Sequence, residues 1–508
     1  MCAETNITRC VDLTRRLVTG RTSRKDRSEM GQFLTPAPVA SFMASLFRPV
    51  SRPVRILDPG AGVGSLFSAL VQELLRRNPL PPAISVVAYE TDKSLAPHLQ
   101  EAMRLCDDLC RQCHVPFSGT VLHEDFIAAA IRDTEEDFFR SRSSSFTHAI
   151  LNPPYKKILS NSDTRRILSA AGLETSNLYS AFVWLAAKLL EPGGEIVAIT
   201  PRSFCNGPYF RPFRKSLMES VGLRRFHVFQ SRKETFKEDS VLQENVIFHG
   251  EREGEKQSTL TVSVSNGNDF SEMATREIPF DKVVLPGDLD AFIHLAEDDE
   301  ALAIMEKMSS FRTTLDEIGL EISTGRVVDF RARSFLRERS EQGTVPLLYP
   351  CHLSNGFIRW PVEGGKKPNA LVMAEETLSL LVASGFYVLT KRFSSKEERR
   401  RVVAAVCDPR RLNSDWLGFE NHLNYFHARG KGLAFNLAKG LAVFLNSTVF
   451  DRHFRLFSGH TQVNALDLRR LRYPAKEQLV RMGKRVLDEM PSQQMLDEIL
   501  TKECALDE

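Results

Sequence analysis

Between residues 54 and about 265 the chain alternates short apolar runs with amphipathic stretches, and few architectures accept that order. "VRILD" is followed by "VGSLFSALVQELLRR", "ISVVAYE", a long helical segment, "TVLHEDF", "FTHAILNPPY", "NLYSAFVWLAAKLL", "GGEIVAITP", "FRPFRKSLMESV", "RRFHVF" and "ENVIFHG". Short buried strands separated by helices call for an α/β fold with a largely parallel, doubly wound sheet. Such sheets bind ligands outside the carboxyl ends of their strands. The residues just after each strand are therefore the ones to read for function.

The first strand runs into "DPGAGVG", Asp58 to Gly64, ahead of a helix. Glycines permit a tight turn and close approach of a ligand to a helix N-terminus, which suits a dinucleotide, a nucleotide or simply a turn. The second strand ends at Glu90 of "VVAYETD", a carboxylate able to take both hydroxyls of a ribose or to stand solvated. At the third, "EDF" offers Asp125 as acceptor for an adenine amine and Phe126 as a packing surface, unless they are a surface acid and a core phenylalanine. The three features together, in this order, favour a nucleoside more than any one does.

The fourth strand enters "NPPY", residues 152 to 155. Pro153 and Pro154 remove backbone donors and stiffen the chain, and a following proline drives Asn152 toward an extended conformation. The result is a rigid ledge that presents the Asn152 side-chain oxygen and the Pro153 carbonyl as acceptors, with the Tyr155 ring nearby. Two acceptors and an aromatic face suit a planar nitrogen donor such as an exocyclic amino group; the alternative is an ordinary strand-ending turn.

Length and composition set the outer limits. At 508 residues and 42% hydrophobic content, the chain has enough apolar material for more than one domain. No stretch approaches the roughly 20 apolar residues needed to span a bilayer, and the polar start lacks the centre of a secretory signal; a cytoplasmic protein without membrane contact is expected. With 67 basic and 64 acidic residues, net charge argues for no particular partner. The nine cysteines form no disulfide-like framework. Cys106, Cys110 and Cys113, beside His114, carry the spacing of one helix face, which favours buried thiols over a metal site. No metal is expected.

Past residue 265 the alternation fades. Residues 266–309 are read as a connecting segment and 310–508 as a second, mixed α+β domain, where "VPLLYPCHL" and "GFYVLTKRF" interleave with basic runs such as "KRFSSKEERRR". Arginine, lysine and aromatic residues together suit phosphate and base contacts, although any one run also fits a solvated face. "SGHTQVN", residues 458 to 464, reads as a loop ahead of a helix capped near Asn464. His460, Thr461, Gln462 and Asn464, with Arg469 and Arg470 behind them, are the candidates for contact with bases if the chain binds DNA; a purely structural loop is the alternative.

"DPGAGVGSL", "YETD", "HEDF" and "NPPY" resemble the motifs of the S-adenosylmethionine-dependent adenine-N6 DNA methyltransferases. "GQFLTPAPVASFM" lies ahead of the glycine turn, an order similar to the gamma class, and the resemblance extends to "NLYSAF", "GGEIVAITPRSF" and "TFKEDSVLQENVIF". "LNSTVFDRHFRLFSGHTQVNALDLRRLRYP" is similar to the target-recognition part of type II restriction-modification enzymes.

The resemblance implies a Rossmann-like methyltransferase domain over residues 1–265, S-adenosylmethionine as cofactor, and a C-terminal target-recognition domain. Phe33 and Thr35 would line the methionine end of the cofactor, Asp58, Gly60, Ala61 and Gly62 would shape its pocket, Glu90 would hold the ribose, and Asp125 with Phe126 the adenine. Asn152 and Pro153 would accept the hydrogens of the target amine. Tyr155 and Phe236 would bracket the flipped base. Double-stranded DNA is the implied substrate, with a separately encoded restriction endonuclease as functional partner and a monomer as the acting form. "NPPY" also occurs in methyltransferases of RNA bases and protein glutamine, which is the alternative substrate class.

Overall fold

A computed structural model describes residues 6–21, 33–136, 145–230, 244–394, 398–457 and 462–506. The chain divides into two compact units, residues 1–297 and 298–508.

The first unit is built on a nine-stranded sheet in the order β3-β2-β1-β4-β5-β7-β6-β8-β9. Its strands are β1 (Val54–Pro59), β2 (Ile84–Tyr89), β3 (Phe117–Leu122), β4 (Phe146–Leu151), β5 (Leu190–Pro201), β6 (Val221–Phe229), β7 (Asn245–Arg252), β8 (Thr259–Asn266) and β9 (Asp269–Pro279). β1 to β5 are parallel. β7 then inserts antiparallel between β5 and β6. Strand order reverses where β4 pairs with β1, so the glycine turn and the "NPPY" ledge leave adjacent strands at the place where such sheets bind ligands.

Helices cover both faces, as a doubly wound sheet requires. α1 (Ile7–Arg21), α2 (Ala37–Ser45), α3 (Ser65–Leu74) and α4 (Ala96–Gln112) pack together as one layer. α5 (Phe126–Glu136), α6 (Asp163–Ala170), α7 (Leu178–Leu189) and α8 (Arg211–Ser220) pack as the other. α3 and α7 are buried nearly all round, which explains sequences almost free of charge. Cys106 and Cys110 on α4, and Cys113 at its C-terminal cap, lie buried in the core, and burial pushes the Cys106 and Cys110 thiols up to about 12. Among the described residues no helix is long and apolar enough to cross a membrane.

The segment read as a connection from residue 266 instead continues the sheet. β8 and β9 form a hairpin through Gly267, and β9 is the outer edge. Only Ile278 along β9 is buried, so an exposed edge strand left no apolar alternation to read.

The second unit holds one six-stranded and one five-stranded sheet followed by helices, the mixed α+β composition expected. Two of those helices, Phe435–Leu445 and Lys476–Lys484, pack closely enough that a Cβ on Gly440 would lie 1.7 Å from the Leu479 carbonyl oxygen, and one on Gly483 equally close to that of Asn436. Glycine at both crossing points is what permits the approach.

Candidate functional site

At the carboxyl ends of β1, β2 and β4 lies a cavity of about 350 Å³. Its walls include Phe33, Gly60, Gly62, Glu90, Asp125, Phe126, Asn152 and Pro154, joined by Leu34, Tyr89, Asp92, Lys156, Leu178 and Phe182. Residues separated by over a hundred positions thus meet in one pocket.

The glycine turn is built against β2. Gly60 and Ala61 both donate their N–H to the Tyr89 carbonyl at 2.9 Å. Gly62, at φ +59°, donates to Glu90 Oε2 at 2.9 Å, and a Cβ there would sit 2.5 Å from Leu34 Cδ2. Glu90 Oε1 accepts from the Asp92 N–H at 2.8 Å. The carboxylate is therefore fixed at the cavity wall by one backbone donor per oxygen, and each oxygen retains a second lone pair for a ligand hydroxyl. Burial raises the Glu90 pKa against the lowering effect of these two bonds.

Asp58 is fully buried beneath the turn. Its Oδ2 accepts from the Phe67 N–H at 3.2 Å, while Oδ1 has no hydrogen-bond partner among the described residues. Burial, with the neighbouring Glu90 charge, raises its pKa to about 8. Asp58 holds the head of α3 and does not line the cavity. Asp125 is exposed and accepts from the Ala128 N–H at 2.9 Å, capping α5 while facing the pocket. Phe126 is buried, its ring 5.2 Å from Tyr89 and 5.1 Å from Phe182, so it is both core and pocket wall.

The ledge is anchored from two sides. Asn152 Nδ2 donates to the Phe33 carbonyl at 2.8 Å and to Thr35 Oγ1 at 3.0 Å. A carbonyl only accepts, so the amide orientation is determined and Oδ1 is the free end. Downstream, Lys157 forms an antiparallel bridge with Asn177, and the Leu178 N–H donates to the Lys156 carbonyl at 2.9 Å. Pro153 is buried at the turn. The Tyr155 ring lies 5.9 Å from Phe33 and 6.3 Å from Tyr179, and its hydroxyl donates to the Ile199 carbonyl at 3.4 Å. Burial raises the phenol pKa, which keeps it neutral. Thr35 is buried behind Asn152 and is not a cavity wall.

Sequence reading missed Tyr89, Asp92, Lys156, Leu178 and Phe182. All but Lys156 had a signal, since Tyr89 and Asp92 sit inside "YETD" and Leu178 and Phe182 inside "NLYSAF"; Lys156 follows "NPPY" directly. Phe236, His460 and Thr461 lie outside the described residues. Gln462 pairs through its backbone with Phe393. Asn464 caps the helix Ala465–Arg470 through Asp467, as its position in the sequence suggested, and Arg469 donates to the Ile322 carbonyl at 2.9 Å.

Residues 108–236 match the Eco57I restriction-modification methylase family. The solved structure of the type IIL restriction-modification enzyme MmeI in complex with DNA shares the fold with a TM-score of 0.54 at 12% identity, covering 100% of this chain and 76% of that one. The chain is 43% identical over 480 residues to the type II methyltransferase M.PstI of Providencia stuartii, covering 94% of each chain. It is 44% identical over 467 residues to the type II methyltransferase M.BsuBI of Bacillus subtilis, covering 91% of each. Identity of that degree over nearly the whole of both relatives means that the chain belongs to the type II methyltransferases of restriction-modification systems.

Proposed function

We propose that the protein is a site-specific adenine-N6 DNA methyltransferase of the gamma class that takes its methyl group from S-adenosylmethionine and protects DNA from a separately encoded restriction endonuclease. The observation that carries this reading is the fixed amide of Asn152. With both Nδ2 hydrogens directed to Phe33 and Thr35, Oδ1 is committed to accepting, beside the Pro153 carbonyl and the Tyr155 ring.

The residues present fit the cofactor. The cavity of about 350 Å³ lies within the size range of small-molecule sites. Glu90 offers a vicinal diol two acceptor positions, Asp125 an acceptor for an amine, and Phe126 with Phe182 an apolar wall. Glycine at 60 and 62 leaves the turn open. When bound, the sulfonium supplies an activated methyl group.

The chain's own contribution is binding and orientation. Adenine N6 is a poor nucleophile because its lone pair is delocalised into the ring. Accepting its two hydrogens at Asn152 Oδ1 and the Pro153 carbonyl favours a more tetrahedral nitrogen and frees the lone pair for in-line attack. A base inside a duplex cannot reach this ledge, so the target is flipped out, with Tyr155 and Phe236 offering stacking in place of its lost neighbours. Site choice is assigned to the second unit, and the protein acts as a cytoplasmic monomer. The match to relatives named as methyltransferases over nearly their full length supports a modification enzyme acting apart from its nuclease.

The test is transfer of labelled methyl to duplex DNA, RNA and a glutamine-bearing peptide, followed by identification of the modified group. N6-methyladenine at one recurrent DNA sequence is expected. Label on RNA or glutamine alone, or on cytosine, would overturn the reading.

A further inference from the structure

In the second unit, the strand Tyr387–Lys391 runs antiparallel to Leu423–His427, and Lys391 pairs with Leu423. Phe393 and His422 therefore meet at one end of the six-stranded sheet, with ring centroids 5.0 Å apart and planes at 47°. Gln462 and Val463, just ahead of Asn464, are laced to the same place. Gln462 bridges to Phe393, the Val463 N–H donates to the Arg392 carbonyl at 2.7 Å, and Asn424 Nδ2 donates to the Val463 carbonyl at 2.8 Å.

Phe393 is 42% exposed although its backbone is held firmly. The Arg392 N–H donates to the His422 carbonyl at 2.8 Å. Ser394 Oγ donates to the Arg401 carbonyl at 2.6 Å and accepts from the buried Arg401 guanidinium at 2.8 Å. A large ring held toward water on so well tied a segment gains little in folding, because its area is not removed from solvent.

His422 is held as firmly. Glu420, 1% exposed, accepts both the His422 backbone N–H, at 2.9 Å, and the ring Nδ1 hydrogen. With Nδ1 given to a carboxylate, Nε2 is the ring's open polar atom among the described residues, on a side chain that is 50% exposed. Burying a carboxylate is costly unless it is hydrogen-bonded, and among the described residues both of its side-chain bonds are to His422.

We propose that His422 and Phe393 are specificity-determining residues of this enzyme, with His422 Nε2 hydrogen-bonding one base edge in duplex DNA, the Phe393 ring packing on an adjoining base, and Glu420 as the residue that positions His422. This rests on the reading of the protein as a site-specific DNA methyltransferase whose second unit recognises the target. A fixed imidazole nitrogen separates bases that present a matching hydrogen-bonding atom from those that do not, and an aromatic ring favours apolar base surface such as the thymine methyl. Neither residue belongs to the set His460, Thr461, Gln462, Asn464, Arg469 and Arg470 read from the sequence.

The experiment uses the full-length protein with S-adenosylmethionine and duplexes randomised over the target region, scored by sequencing of modified products. His422→Ala is expected to lose about 5- to 150-fold of its discrimination at one base pair, the range of a single base contact, with cofactor affinity unchanged. Phe393→Ala should relax a neighbouring position. Glu420→Gln should relax the same position as His422→Ala by a smaller factor; if it fails to fold, the two solvent-facing variants decide alone. Wild-type selectivity at every position in both, or uniform weakening on all duplexes as a phosphate contact would give, overturns the proposal. A wild-type protein that modifies DNA without sequence preference would instead remove the reading beneath it, and the proposal with it.

Discussion

Thr35 and Asn152 are 117 residues apart in sequence, yet Thr35 Oγ1 accepts a hydrogen bond from Asn152 Nδ2 at 3.0 Å. Together with the Phe33 carbonyl at 2.8 Å, this contact decides which end of the amide faces the cavity. Asn152→Ala should lower turnover by about 100-fold or more, the scale seen when one preorganised catalytic hydrogen-bonding group is removed, with cofactor affinity near wild type. Thr35→Val should lower turnover by about 5- to 10-fold, since one net hydrogen bond contributes about 1 kcal/mol. Single-turnover rates alongside calorimetric cofactor titration check both; unchanged rates in Asn152→Ala would sink its assigned role.

Tyr155 stands near both Phe33 and Tyr179 at the ledge. If it stacks on the flipped base with Phe236, alanine at either position should weaken DNA binding by about 1 to 3 kcal/mol, while Tyr155→Phe stays close to wild type. A fluorescent adenine analogue at the target position should brighten on binding. Specific binding without brightening would count against extrusion of that base.

Asp58 gives the unliganded protein a pH-dependent stability. Its folded pKa, raised to about 8 by burial, exceeds the unfolded value near 3.8, so between those limits the folded state binds more protons than the unfolded one. Its contribution is complete below the unfolded pKa and is lost as pH rises to about 8, with a slope of at most about 1.4 kcal/mol per pH unit. Asp58→Asn can still accept from the Phe67 N–H and should flatten that slope. Urea denaturation at several pH values compares the two; identical slopes would show that Asp58 is ionised in the folded protein.

Glu195 has the opposite sign. His249 Nε2 at 2.7 Å and Arg48 Nε at 2.9 Å hold its buried carboxylate, and although burial opposes them, these partners bring its pKa down to about 2. Its stabilisation is present above the unfolded value near 4.5 and is lost as pH falls toward 2. Glu195→Gln should cost about 2 kcal/mol at neutral pH, the scale of hydrogen bonds to a charged group. Cofactor affinity should not change, because Glu195 lies midway along β5, paired with His148 of β4 and not among the residues that line the cavity. A large change in that affinity would contradict this separation.

Replacement of His460, Gln462 and Asn464 by alanine together should alter site preference and leave cofactor affinity intact. Part of any loss at Asn464 is expected to be structural, since that residue caps a helix and a lost cap costs about 1 kcal/mol. Thermal unfolding of the single variants separates the two effects. Unaltered selectivity in the triple variant would exclude this loop as the reader.

The βα alternation, the strand ends at which chemistry collects and the local form of the ledge were legible in the residues themselves. Each of these is a short-range property: proline fixes its own φ and restricts its predecessor, glycine admits the positive φ at residue 62, and burial periodicity is written residue by residue. Packing set what those residues do to one another. It brought Phe33 and Thr35 to Asn152, set Phe126 between Tyr89 and Phe182, and placed Glu420 beneath His422 at the end of a sheet. It also turned an unpatterned stretch into the edge strand β9. Contacts between distant segments depend on how whole elements pack, and a hydrogen bond across 117 residues leaves no periodicity or spacing in the chain.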